Sequence, residues 1–253
     1  RRIARNTLFL YSRQFLIMLV NLFTVRIVLN TLGVIDYGIY NLVSGIVSML
    51  GFLNGAMATA SQRFFSYDLG RGDKKALQTN FSMSLNIYII IIFVVTLLAE
   101  TIGLWLLNTK LIIPNERLWA AKIIYQFSVG SFIFSMLTTP FIAVIIAREN
   151  MELYAYISIF EAFLKLITAF IVKYIKYDKL VLYCFLIMLS SVLVLGLYIF
   201  ICRKNYFETK YRFSWNKAMF QTLLSYTSWN LFGAAVGAAK IQAINVLLNA
   251  FFG

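Results

Sequence analysis

Two arginines, Arg13 and Arg26, stand inside one long apolar run, Asn6 to Gly33 (NTLFLYSRQFLIMLVNLFTVRIVLNTLG), with Gln14, Asn21 and Asn30 beside them. The run is long enough to cross a bilayer, which takes about 20 mostly apolar residues. An arginine at membrane depth costs at least ~2.5–3.5 kcal/mol on insertion scales, and such residues mark substrate or ion paths. A guanidinium is also the cation best matched to phosphate, through paired hydrogen bonds. At about 100° per residue, Gln14, Asn21 and Thr24 fall on nearly the same arc as Arg13. That spacing predicts a polar face lining a cavity. Arg26 and Asn30 share a different arc nearer the far end, where a long side chain can also snorkel to the surface.

Other charges lie within apolar runs: Glu100, Lys122, Glu161, Lys165 and Lys240. Lys122 is one turn inside its run and can reach the surface. Glu161 and Lys165 are at i and i+4 with the acid first, the favourable orientation for a helix pair. In the last run Asn230, Gly233, Gly237 and Lys240 share one face, as for a packed helix bordering a polar space. The bases Arg13, Arg26, Lys122, Lys165 and Lys240 outnumber the acids Glu100 and Glu161, which predicts a cationic cavity for an anionic ligand. Arg13, Arg26, Asn21, Asn230 and Lys240 are the candidate substrate-binding residues. Glu100 and Glu161 are the candidate ion-coupling carboxylates, since intramembrane carboxylates serve proton relays.

Composition sets the class around these residues. Of 253 residues 61% are hydrophobic, well above the 45–50% of soluble domains, and 17% are aromatic. The pattern is that of an all-α, polytopic membrane bundle. There is no histidine, which removes the commonest acid–base group and metal ligand. Cys184 and Cys202, if on one helix, lie roughly 27 Å apart and cannot pair. No zinc spacing exists, and neither a metal nor a cofactor is expected. The formal charge of +13 is spread among apolar runs instead of forming one patch, so it reads as membrane topology, with no nucleic-acid partner.

Six apolar runs read as helices: 6–33, about 37–65, 81–107, 118–147, 154–175 and 180–202, with a seventh starting near Leu223. Gly51 and Gly55 sit in a small and polar stripe with Asn41, Ser44, Ser48, Ala58 and Gln62, which predicts close helix packing. Pro140 predicts a kink, with Thr138 and Thr139 placed to satisfy a freed carbonyl. Alternate loops carry most of the base: Arg1, Arg2, Arg5; Arg63, Arg71, Lys74, Lys75; Arg148; and Arg203, Lys204, Lys210, Arg212, Lys217, against Lys110, Arg117, Lys173, Lys176 and Lys179 on the other side. This asymmetry predicts a cytoplasmic N-terminus. The last run repeats features of the first (YTSW then NVLLNAFFG, against YSRQ then RIVLNTLG), so the chain is expected to be the first half of a repeated protein.

The stretches TVRIVLNTLGVIDYGIYNLVSGIV, ATASQRFFSYDLGRGD, AETIGLWLLNTKLIIPNERLWAAKIIYQFS, IIARENMELYAYISIFEAFLKL and TSWNLFG resemble, in this order and over essentially the whole chain, bacterial Wzx-type flippases of the multidrug/oligosaccharidyl-lipid/polysaccharide exporter superfamily. The resemblance implies two six-helix lobes around a central cavity. Residues 1–217 would form the first lobe and 218–253 the first helix of the second. It implies that undecaprenyl-pyrophosphate-linked glycans of O-antigen or capsule are carried across the bacterial inner membrane, with basic cavity residues meeting the pyrophosphate. Arg13 and Arg26 look like the family's first-helix arginines. Membrane lipids and other polysaccharide-assembly proteins are the further partners implied. A drug or cation exporter of the same superfamily would want acids in its cavity, where this chain has more bases. A membrane enzyme, such as a glycan polymerase or acyltransferase, would show a large catalytic loop or a cluster of His, Asp and Glu; the loops here are short.

The topology is open to direct measurement. A cysteine replacing Asp73 should react with an impermeant thiol reagent only from the cytoplasmic face. Labelling from outside would reverse the orientation.

Overall fold

The computed structural model describes residues 2–48, 51–109, 111, 113–213, 215, 220–221, 225, 228–229 and 232–233. The long helices are α1 (Arg2–Ser48), α2 (Gly51–Arg71), α3 (Lys74–Leu98), α4 (Leu104–Thr109), α5 (Leu118–Ala147), α6 (Met151–Tyr174) and α7 (Lys179–Asn205). Among the described residues five helical stretches are long and apolar enough to cross a membrane, and the chain is a multi-pass, all-α membrane protein.

A straight helix of 47 residues would measure about 70 Å, more than twice the hydrocarbon thickness of about 30 Å. Instead α1 breaks at Gly33 (φ 80°, ψ 170°), a backbone conformation open to glycine and strained for other residues. Its neighbours show that the chain turns back there. Arg13, in the first limb, meets Tyr154 and Ser158 near the start of α6. Asp36, just past the break, meets Arg117 and so lies at the opposite end, where α5 begins. The second limb and α2 then return: Tyr40 meets Tyr183 edge-on, Asn54 accepts a hydrogen bond from Thr139, and Asp68 accepts from Asn80 near the start of α3. The described residues thus make six long passes along the bundle.

The turns are shorter than the polar composition of 67–80 suggests. α2 runs to Arg71 and α3 starts at Lys74. Gly72 takes φ 71°, and the Asp73 carboxylate accepts from the backbone N–H groups of Lys75 and Ala76 at 3.1 and 2.9 Å. This N-cap starts the helix several residues earlier than hydropathy does. The expected seventh helix falls mostly outside the described residues.

α5 is apolar all round and takes the centre, touching α1, α2, α3 and α7. It continues through Pro140; the hydroxyls of Thr138 and Thr139 bond the carbonyls of Phe134 and Ser135. Around it the buried apolar residues fall into three clusters, the smallest of them Met57, Met83, Ile87, Tyr88 and Met136; the two larger ones each hold a cysteine. One of these two includes Val28, Val43, Tyr125, Leu180 and Cys184; the other includes Phe65, Phe81, Phe141, Tyr198 and Cys202. The two cysteines are free. The expected packing at Gly51 and Gly55 does not occur: a Cβ at either would meet nothing within 4 Å among the described residues.

α3 and α4 form one helix joined by a π turn, Ala99–Gly103. The extra residue frees backbone groups, and the buried Tyr125 hydroxyl donates to the Ala99 carbonyl at 2.7 Å. Gly103 makes room for it: a Cβ there would stand 1.9 Å from that hydroxyl oxygen. Gly103→Ala should therefore destabilise the protein by about 1–3 kcal/mol, the usual cost of overpacking. Thermal unfolding in detergent reads this, and Tyr125→Phe in the same chain should recover part of the loss. Equal stability of Gly103→Ala and wild type would show that the tyrosine moves aside freely.

Candidate functional site

A polar seam runs along one face of α6. Tyr154, Ser158, Glu161, Lys165 and Thr168 recur every three or four residues in the segment ELYAYISIFEAFLKLIT, so they align on the helix surface. The first limb of α1 packs on this side. Phe9 meets Tyr156 edge-on, and the Arg13 guanidinium lies 4.5 Å from the centre of the Tyr154 ring and donates weakly to Ser158 Oγ at 3.5 Å. From α7, buried Tyr198 reaches the same place, beside Ser158, Tyr154 and Glu161. Further along, Lys165 Nζ donates to Glu161 Oε1 at 2.7 Å.

Depth separates these charges. Ser158 lies about 10 Å along α6 from Met151, so Arg13 meets the helix between its start and its middle. Glu161 and Lys165 bracket the middle of the 24-residue helix. The deep pair is neutral as a unit. Arg13 is a lone cation: among the described residues no carboxylate lies within ion-pair distance, its ring contact is a cation–π one, and its Nε is buried without a partner. A guanidinium with unspent donors is chemically suited to an anion.

The remaining candidates are dispersed. Thr24 shares the packed face of α1 with Arg13 and Val20, and its hydroxyl bonds the Val20 carbonyl. Gln14 and Asn21, placed on the same arc by sequence, are exposed on the flank of the helix. Arg26 and Asn30 are exposed on another face. Glu100 stands outward on the π turn and accepts from Gln126 Nε2 at 3.2 Å. Next to it Lys122 and Gln126, with Asn108 and Trp119, line a groove of about 530 Å³ between α4 and α5. Glu100 and Glu161 belong to separate places, one between α3 and α5 and one on the α6 seam. Asn230 and Lys240 lie outside the described residues.

Tyr154, Ser158 and Tyr198 were not singled out from the sequence, although they surround Arg13. The spacing of Tyr154 and Ser158 with Glu161 and Lys165 is visible in the α6 segment. Tyr198 carries no such signal, because it joins through α7. The seam predicts coupled behaviour in its ion pair. Lys165→Met should lower stability by about 1–2 kcal/mol, between the values for exposed and buried pairs, by stranding Glu161. Adding Glu161→Gln should recover part of that loss in thermal unfolding. Costs that simply add would show that the two side chains are not coupled.

The architecture has a counterpart among solved structures. A crystal structure described as MATE in complex with MaD3S superposes with a TM-score of 0.82 over 98% of this chain, at 13% sequence identity. No family model matches the sequence. No curated protein matches it. The match takes in 56% of the MATE chain, so this chain spans little more than half of that protein's length and has the fold of that part.

Proposed function

We propose that the chain is one lobe of an alternating-access membrane transporter of the multidrug/oligosaccharidyl-lipid/polysaccharide exporter type, and that its cargo is an undecaprenyl-pyrophosphate-linked glycan moved across the bacterial inner membrane for O-antigen or capsule assembly. The observation that carries this reading is the unpaired charge. Among the described residues Arg13 has no acid partner, while Glu161 is paired with Lys165. The uncompensated charge of the α1–α6–α7 seam is therefore positive and suits a pyrophosphate. The MATE fold supports a transporter over an enzyme, and none of the described side chains forms a metal-binding cluster of His, Cys, Asp and Glu.

The second reading, export of a drug or other cation, draws on the same fold and on Glu100, whose carboxylate meets an amide and is exposed. A cationic cargo would be repelled by Arg13, which ranks this reading second. A cytoplasmic N-terminus belongs to the proposal, and the excess of basic residues in alternate loops supports it. Lys74, Arg148 and Lys210 lie toward one end of the bundle, which supports the same orientation.

Complementation of a flippase-deficient strain by the full-length protein tests the assignment. Arg13→Ala should abolish surface glycan display, and Arg13→Lys should keep part of it, because lysine retains the charge but loses the fork. Membrane levels should be unchanged in both. Near-normal display from Arg13→Ala would remove this residue from the transport path and shift attention to Arg26 and Lys240. Failure of the wild type to restore display, with export of cationic dyes instead, would favour the second reading.

A further inference from the structure

After α7 the chain makes a short 3-10 turn, Phe207–Thr209, and then runs as a strap along the start of α3. The strap is fastened at every polar point. Buried Glu208 accepts from Arg148, and Tyr206 accepts from Asn150 at 3.1 Å. Gln78 donates to the Lys210 carbonyl at 2.8 Å, the Arg212 backbone N–H donates to Ser82 Oγ at 3.1 Å, and Tyr211 donates to Asn86 Oδ1 at 2.8 Å. These bonds consume the backbone and neutral side chains and leave the strap's cations outside. A groove of about 490 Å³ opens between strap and helix, lined by Lys75, Gln78, Thr79, Phe207, Arg212 and Phe213.

Three properties of this groove belong together. First, the Lys75 and Arg212 side chains form no ion pair among the described residues; the nearest acid in sequence, Asp73, is occupied in capping α3, and Glu208 is taken by Arg148. Second, Phe207 and Phe213 on its wall are more than half exposed, with Lys210 Nζ 5.4 Å from the Phe207 ring. Large exposed aromatics beside cations are what the headgroup layer of a membrane accommodates. Third, Arg212 is anchored at Ser82, about 12 Å along α3 from Lys74, where the apolar run of that helix begins.

We propose that this groove is a binding site for the phosphodiester headgroup of an anionic glycerophospholipid, held by Lys75 and Arg212 with Gln78 and Thr79 as neutral donors, its acyl chains lying against Phe207 and Phe213. Charge complementarity selects the occupant: two free cations facing the interface match one phosphate. The site is separate from the Arg13 seam, and it stands or falls without the transport assignment.

Native mass spectrometry of the purified protein, with phosphatidylglycerol or phosphatidylcholine added to the detergent micelle, measures retained lipid directly. Phosphatidylglycerol should be retained at least about tenfold more strongly, the equivalent of about 1.4 kcal/mol. Lys75→Gln with Arg212→Gln should erase that preference, and Lys75→Arg with Arg212→Lys should keep most of it. Lys173→Gln with Lys176→Gln, at the opposite end, should leave it unchanged. Equal retention of both lipids, or an undiminished preference in the Lys75→Gln, Arg212→Gln variant, overturns the proposal. Displacement of phosphatidylglycerol by millimolar inorganic phosphate overturns it too, since the groove would then be a site for a free anion. Each single substitution is read alongside the pair, so a poorly expressed double variant still leaves a decisive comparison.

Discussion

One guanidinium, that of Arg117, holds three helix ends together. It donates to Asp36 and to Asp178 at 2.7 Å each, and Asp178 in turn caps α7 through the N–H groups of Leu180 and Val181. The reversal at Gly33, the start of α5 and the start of α7 are thereby brought into one register. At the other end Arg148 does the corresponding work. It pairs with buried Glu208 and lies against Tyr206, while neighbouring Asn150 caps α6 at Leu153. Such clamps matter more in a membrane than in water. Lipid tails are as apolar as leucine, so burial of apolar faces does little to favour one helix arrangement over another. Packing fit and polar contacts must supply the specificity, and here the polar contacts are concentrated at the two ends of the bundle.

Between the clamps the helices are almost wholly apolar, which gives the few internal polar groups their meaning. Most of them are spent locally. The hydroxyls of Thr24, Ser44, Ser128 and Ser190 each bond the carbonyl four residues back, a helix-internal solution that leaves nothing for a ligand. The α6 seam differs because groups of other helices reach it, although Ser158 and Thr168 also bond carbonyls of α6 itself. Arg13 reaches it from α1 and Tyr198 from α7, so three helices converge on one polar strip. The π turn at Ala99–Gly103 is a second place where the regular pattern is interrupted. It sits beside an apolar cavity of about 240 Å³ lined by Val47, Leu98, Leu106 and Tyr125. That cavity is almost wholly apolar; its relevance is that the helix there has room beside the bond from Tyr125 to the Ala99 carbonyl.

The charge asymmetry along the chain also becomes geometry. The basic turn at Arg71–Lys75, the turn at Arg148 and the strap at Lys210–Arg212 meet at one end, while Asp36, Arg117 and Asp178 form the other. One end therefore gathers the basic turns and the strap. At the other, one guanidinium bridges two carboxylates. A protein built this way has two chemically different membrane faces before any partner is considered.

The class, the six apolar runs up to residue 202 and the identity of the unusual charges were legible in the residues themselves. A bilayer imposes length and hydropathy on each crossing, so runs such as 118–147 show their limits directly, and the i, i+4 spacing of Glu161 and Lys165 foretold their bond. Local chemistry that breaks no hydropathy rule was less visible: the Asp73 cap and the π turn at Ala99 depend on backbone hydrogen bonds that composition does not report. The destination of a side chain was hidden altogether. The arc shared by Arg13, Gln14 and Asn21 was real, yet only Arg13 turned into the packing, because the surface α6 offers is narrower than the arc. The glycines at 51 and 55 had the spacing of a packing motif and met no helix among the described residues. Sequence determined what each helix could bury or expose. The tertiary structure decided which face met a neighbour, because in a medium as apolar as the helices themselves that choice rests on shape and on a few polar contacts between residues far apart in the chain.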